Sequence, residues 1–413
     1  MEDSTPFSNI PNEIIRHILL QLPMKAVIRC QCVCKQWRSW IDDSDFKLSY
    51  RGKRRVIIVS HEPKNQDYNW NSRFLVRSTS HGSCFQRHKL PFGEAAYPLI
   101  RASNEFPVRS LCSCNGFVLL LLIAERDILL WNPSTRCLMK VLHLPYPKES
   151  NMVILGGLCY VSSTRDYKAV ILIRPLMALI GPRREFGYPF AISASLNHKE
   201  WRSVQFPYNL NSVNGNVEFR NTFYCTFHWW ASDIENWHSN MDYFSGGNRN
   251  RIVYFDPVCD EFKILPTPEL RQNFPIVGLG VIDDCLSMAC SVHKQKNSIP
   301  TTIQVLIMKE YGIQESWMTA FAVQITTQYP YTIASYGLTF YSKKNNTQEV
   351  LFLHAMNWTE GKVYVYDRRK DELREVPLDF PKNDSGRRGI WCVSMCFYVE
   401  SLASLPLQPH MIN

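Results

Sequence analysis

Three stretches of this chain follow one plan. Ile128-Leu129-Leu130-Trp131-Asn132-Pro133 runs on to Leu144-Pro145, Arg251-Ile252-Val253-Tyr254-Phe255-Asp256-Pro257 to Leu265-Pro266, and Lys362-Val363-Tyr364-Val365-Tyr366-Asp367 to Val376-Pro377. Each unit reads as a strand, an aromatic residue followed by Asp or Asn, a polar turn, and a second strand ending on an apolar residue and proline. Asn132 and Asp256 can close their turns with their own side chains, and proline fits a strand end because it has no N–H to give a ladder. A diverged relative runs from Leu196 through Trp201 to Phe206-Pro207. Short apolar or alternating runs, separated by Gly, Pro, Asn, Asp and Ser, fill the rest of the chain from Val56 to Tyr398. Many short strands without long amphipathic helices between them leave an antiparallel sandwich, barrel or propeller. Units recurring at multiples of roughly 40 to 50 residues favour a propeller, with a sandwich as the alternative and the blade number open.

The first 50 residues obey a different period. Ile10, Ile14, Ile18 and Leu22 recur every four residues with Ile15 and Leu19 beside them, the stripe of an amphipathic helix. Pro11 suits a first helical turn, Glu13 complements the positive end of the helix dipole, and Pro23 stops the run. Met24, Val27, Ile28 and Val33 supply an apolar face for a second helix, and Trp37, Trp40 and Ile41 one for a third. Three helices in about 40 residues bury too little surface to be comfortable alone. Part of their apolar face is therefore expected to meet another chain.

With 413 residues, 45% of them hydrophobic and 20% charged, the chain has room for two or three folded domains. No apolar segment follows a basic start, and the longest strong apolar run, residues 117–124, is far shorter than the roughly 20 residues that cross a bilayer. A soluble protein of the cytoplasm or nucleus, with no membrane association, is expected. The 14 cysteines suit that compartment as reduced thiols, most of them small core residues. The formal charge of +9 raises the question of nucleic acid. Its densest basic run, Arg51-Gly52-Lys53-Arg54-Arg55, could be a localisation signal or a phosphate-binding patch but comes with no nucleic-acid motif, so it reads as a solvated linker, and no nucleic-acid partner is expected.

Ile10-Pro11, Glu13-Ile14-Ile15, Ile18-Leu19, Leu22-Pro23, Lys25 and Val33-Cys34-Lys35 followed by Trp37 agree in order and spacing with an F-box, which this stretch resembles, with Ile10 where Leu is commoner. The resemblance implies three helices that dock on a Skp-type adaptor and through it on a cullin. It places the adaptor-binding residues at Ile10, Pro11, Ile14, Ile18, Leu22, Pro23, Val33, Cys34 and Trp37. The later chain resembles the F-box-associated domain of plant F-box proteins, similar to kelch-type propellers, through Ser113-Cys114-Asn115-Gly116, residues 131–136, Phe255-Asp256, residues 310–317 and Tyr364-Val365-Tyr366-Asp367. A double glycine in each unit, as in strict kelch repeats, is missing. The organisation implied is an F-box over residues 1–50, a basic linker over 51–55, a propeller-like substrate-binding domain over 56–400 and a tail over 401–413.

Catalytic motifs are not found. There is no zinc-binding His-Glu-x-x-His, nucleophile elbow or phosphate loop, and Gly278-Leu279-Gly280 lacks the third glycine of a dinucleotide site. Cys30, Cys32 and Cys34 have no second ligand pair at zinc spacing; on a helix only Cys30 and Cys34 would share a face. His198, His228, His238 and His293 have no partner carboxylate at identifiable spacing and read as surface or core histidines. No catalytic residue, metal or cofactor is assigned. The expected role is a non-catalytic adaptor that holds an unknown protein substrate for ubiquitination, the alternatives being an enzyme on a propeller fold or a non-ubiquitin scaffold bound to a Skp-type adaptor. The leading substrate contacts are Trp237, Tyr243 and Phe244, in a loop over residues 231–250 much longer than an ordinary hairpin turn.

Overall fold

The computed structural model describes residues 10–63, 70–78, 108–123, 125–147, 150–180, 183–186, 189–206, 212–220, 224–232, 250–268, 276–292, 302–324, 338–343, 346–356, 360–376 and 391–404. The chain opens with four helices, α1 (Asn12–Gln21), α2 (Met24–Cys30), α3 (Lys35–Asp42) and α4 (Ser44–Ser49). Sequence periodicity had marked three, because α4 is too short to show a period. It is set by its cap, where the Asp43 carboxylate accepts the Phe46 N–H at 2.9 Å. That turn carries Phe46 and Tyr50 into a core with Leu19, Met24, Val27 and Ile41. Pro11 stands at the N-cap of α1, one place before its first turn. Cys30 ends α2 and Cys34 caps α3, so the two thiols do not share one helix face.

Among the described residues the strands form four hydrogen-bonded sheets, two of which each span two of the six groups that can be told apart. The first joins β1 (Arg54–Pro63) and β2 (Trp70–Ser78) to the last strand of the chain, β24 (Trp391–Val399), in the order β2-β1-β24. The second is β3 (Val108–Cys114), β4 (Phe117–Leu122), β5 (Asp127–Asn132) and β6 (Cys137–His143). The third is β7 (Asn151–Val161), β8 (Asp166–Ile180), β10 (Phe190–Ser195) and β11 (Trp201–Val204), with the short β9 (Arg183–Phe186) beside β8. The fourth holds β12 (Ser212–Arg220), β13 (Tyr224–Ser232), β14 (Asn250–Asp256) and β15 (Glu261–Leu265). In the fifth are β16 (Ile276–Ile282), β17 (Cys285–Val292), β18 (Thr302–Met308) and β19 (Trp317–Gln324). The sixth comprises β20 (Leu338–Lys343), β21 (Asn346–Met356), β22 (Glu360–Asp367) and β23 (Glu372–Val376).

Each group touches the next and the sixth touches the first, so the sheets form a ring, which is a propeller and not a sandwich. The ring is closed by the chain ends, β1 lying antiparallel to β24 from Arg54 opposite Val399 to His61 opposite Trp391. This pairing hides two strand edges that would otherwise attract other chains. Blades three and four also join directly, through β7 with β13, and so do blades five and six, β16 running parallel to β20 with Gly278 and Gly280 opposite Leu338 and Phe340. A Cβ at Gly280 would lie 2.3 Å from the Phe340 ring, so only glycine lets these inner strands approach.

The three sequence units are the two outer strands of blades two, four and six. Their turns share one chemistry. The side-chain Oδ1 of Asn132, Asp256 and Asp367 accepts the N–H two residues on, at 2.9, 3.0 and 2.9 Å. Four residues on, Arg136, Asp260 and Asp371 take a left-handed backbone with φ of 64°, 56° and 51°. The diverged unit keeps this geometry with a hydroxyl, Ser195 Oγ accepting the His198 N–H at 3.1 Å and Lys199 turning left-handed.

Two boundary expectations are corrected. The basic run is not a solvated linker, because Arg54 and Arg55 begin β1 and every arginine in it has a partner. Arg51 donates to Asn115 Oδ1 at 2.9 Å, Arg54 lies 4.1 Å from the Tyr341 ring centroid, and Arg55 pairs with Glu400. The first residues of the expected tail over 401–413 belong to the folded body. Ser401, Leu402 and Ala403 are all buried.

Candidate functional site

Two surfaces could receive partners, and the fold sets them apart. On the helical module the apolar residues divide by side. Leu19 is 1% exposed, whereas Ile14 and Ile18, on the other stripe of α1, are 52% and 48% exposed and Val33 is 63% exposed. Ile10 and Ile28 are exposed as well. Of the nine residues the sequence marked for adaptor contact, Ile10, Pro11, Ile14, Ile18, Pro23, Val33 and Cys34 stand at the surface, while Leu22 and Trp37 pack partly against the module's core. The Cys34 Sγ accepts the Trp37 N–H at 3.4 Å and so caps α3, which ties the position of that indole to the turn bearing Val33. Covering an isoleucine fully is worth roughly 1.5–3 kcal/mol, so five half-exposed aliphatic side chains offer several kcal/mol to a partner. Exposed Ile28 was placed by sequence on an apolar helix face, but not among the contact residues.

The second surface is the propeller face turned away from the helices. Hairpin alternation brings the turns at Asn115, Asn132, Arg165, Asp256, Asp283 and Asp367 to the helical side, where Arg165 meets Asp45 of α4 at 3.5 Å. The C-terminal ends of β13, β17, β19 and β23 point the other way. Ser232 at the end of β13 and Asn250 at the start of β14 both stand at that far face. Trp237, Tyr243 and Phe244 lie outside the described residues, as do His238 and His293.

The remaining candidate groups belong to the scaffold. His228 is fully buried, with Nε2 2.8 Å from the Tyr311 hydroxyl and its ring against Tyr254, and burial pushes its pKa down to about 3. A neutral imidazole in that setting is a weak base held in a core. The 310–317 motif, the most specific piece of the propeller resemblance, is a seam between blades four and five. Tyr311 reaches His228, the Trp317 indole donates to the Pro266 carbonyl at 2.9 Å, and the Ser316 hydroxyl ties the turn through Glu310 O and Ile313 O at 2.8 and 2.7 Å. Asp256 would have its pKa raised by burial, but hydrogen bonds from Lys263 and from the Val258 and Cys259 amides outweigh this and hold it low. Among the described residues, no group of three or more His, Cys, Asp or Glu side chains is placed to hold a metal ion, and no helix is long and apolar enough to cross a membrane.

Comparison with known proteins covers both regions of the chain. The F-box domain model matches residues 7–49, and the F-box associated beta propeller domain model matches residues 76–405. Of curated proteins, F-box protein CPR1 of Arabidopsis thaliana is 26% identical over 345 residues, 77% of this chain and 73% of its own length. An F-box/kelch-repeat protein of the same plant is 27% identical over 320 residues, 75% of this chain and 78% of its own. Of solved structures, TolB from Acinetobacter baumannii aligns over 85% of this chain and 67% of its own, at 12% identity and a TM-score of 0.42.

Proposed function

Because the chain belongs to the family of F-box proteins with an F-box associated beta propeller domain, whose general role is that of adaptor in Skp-cullin-F-box ubiquitin ligases, we propose that it is the substrate-receiving subunit of such a ligase. The helices bind a Skp-type adaptor through Ile10, Pro11, Ile14, Ile18, Pro23, Val33 and Cys34, with Leu22 and Trp37 as their support. The far face of the propeller holds a target protein, with Trp237, Tyr243 and Phe244 as leading contacts. No residue of the chain performs covalent chemistry. It raises the effective concentration of the target at the transferring enzyme.

The observation that carries this reading is the split within α1, where Leu19 is enclosed and Ile14 and Ile18 are open although all are equally apolar. A helix that served only its own domain would turn its apolar stripe inward. The test is Ile14→Asp with Ile18→Asp in the full chain, probed with a purified Skp-type adaptor. Both positions are exposed, so the fold should hold while adaptor binding is lost, because the charges would be buried without partners in the complex. Unchanged adaptor affinity would refute the placement. Capture of ubiquitinated proteins from proteasome-inhibited plant cells with the parent, and not with the double variant, would then identify substrates.

A further inference from the structure

The four residues that follow the last propeller strand do something a tail does not. Residues 400–403 leave β24 and lie between the helical module and the ring, with alternate side chains entering two different cores. Leu402 joins Leu19, Phe46 and Tyr50 in the core of the helices, while Ala403 belongs to the core of blades two and three, and Ser401 is fully enclosed. The backbone is held from both sides. The Gly52 N–H donates to Glu400 O at 2.8 Å, the Glu400 N–H to Lys53 O at 3.0 Å, and the Ser401 N–H to the Ser134 hydroxyl at 3.4 Å.

Asn132 is the centre of the cradle. Its Oδ1 closes the blade-two turn, as Asp256 and Asp367 do in blades four and six, but its Nδ2 has a second task, donating to Ser401 O at 3.1 Å and Ala403 O at 2.9 Å. A carboxylate could make the turn and could not make these two bonds, which is a physical reason for Asn here where the other two units have Asp. Gly116 forms the other wall, with φ of 83° and a hypothetical Cβ only 2.2 Å from Ser401 Cβ. Arg51 completes it by bridging Tyr50 O and Asn115 Oδ1, each at 2.9 Å. The two motifs 113–116 and 131–136, which the sequence associates with the propeller domain, thus converge on residues 400–403.

We propose that residues 400–403 are a strap that seats the helical module on the propeller in one orientation, with Asn132 as its positioning residue. The proposal deepens the function proposed above, since a ligase that works by proximity needs its adaptor-binding and target-holding surfaces at a set separation. Because the strap continues the strand that closes the ring, ring closure and seating of the helices become one event.

The test uses the full chain with Asn132→Asp and Leu402→Ala, and Asp367→Asn as a control that retains its turn. Hydrogen exchange in the chain alone is expected to show the amides of α4 and Tyr50 losing at least ten-fold in protection in both variants, while β5 and β14 stay at parent values and the control does not change. Small-angle scattering of the complex with a purified Skp-type adaptor should show one compact arrangement for the parent and the control and a broadened distance distribution for both variants, at adaptor affinity within two-fold of the parent. Should Asn132→Asp fail to fold, Leu402→Ala decides alone. Unchanged α4 exchange, or an unchanged scattering profile, in the folded variants overturns the proposal. A parent chain that binds no adaptor would overturn the proposed function instead, since the exchange arm reads the strap without any partner.

Discussion

In α1 an isoleucine can stand half in water with no apolar neighbour to cover it, whereas in β5 every residue from Asp127 to Asn132 is buried, the two polar ends included. Among its described residues the ring leaves Val258, Ile264, Ile313 and Met318 exposed but encloses whole strands in its cores, and it adds hydrogen bonds between blades, such as Ser113 Oγ to Phe397 O at 2.6 Å between blades one and two. The helical module has too few residues to do so and leaves Ile14, Ile18, Ile28 and Val33 outward. A side chain's worth to the fold should therefore depend on which region it sits in more than on its hydrophobicity.

The largest effect should come from opening the ring. A chain ending at residue 390 loses β24, exposing the edge of β1 and one flank of β3, and is expected to be insoluble or to lack a cooperative thermal transition. A soluble truncation that melts like the parent would break the contrast at its root. Next in size, Phe255→Ala in the enclosed core shared by blades three and four should cost about 3–5 kcal/mol in urea unfolding, while Ile14→Ala should stay within about 0.5 kcal/mol. Equal losses would mean that the helices rely on Ile14 as the ring relies on Phe255.

A pH series sharpens the comparison further, since the ring buries a histidine whereas His17 of the helices is exposed. His228 stays neutral in the fold down to about 3, but an unfolded chain protonates it near pH 6.5. The contribution is complete above pH 6.5 and is lost as pH falls toward 3, by at most about 1.4 kcal/mol per pH unit from this group. His228→Gln should flatten that slope; parallel slopes for parent and variant would exclude His228 as its source. The smallest effect is expected at the contact between the regions that lies in water, Arg165 with Asp45, whose side chains are 67% and 62% exposed. Arg165→Ala should change stability by less than about 0.5 kcal/mol and lose even that at high salt. A larger loss would shift weight from the strap to this ion pair.

Much of the ring was legible because its signals are local. An aromatic residue before Asn or Asp, followed by a strand ending in proline, marks the outer hairpin of a blade whatever surrounds it, and Asn132, Asp256 and Asp367 each close the turn in the same way. The helix α4 was missed because its six residues carry no period, and its one signal, Asp43 three places before Phe46, is short enough to arise by chance. The basic run was misread because charge density describes residues one at a time. Whether Arg51 and Arg55 face water or Asn115 and Glu400 depends on chain that is 64 and 345 residues away.

By itself, then, the sequence determined the two periods, the repeated turns, the family signatures and the apolar stripe of α1, all of which arise from neighbours within a few residues. Only the tertiary structure decided which side of that stripe is covered, that the blades number six among the described residues, and that Leu402 belongs to the helices at the other end of the chain. The physical reason is that burial is a property of assembled surfaces. Leu19 and Ile18 are adjacent in sequence and similarly apolar, and what separates them is the presence on one side of Phe46, Tyr50 and Leu402.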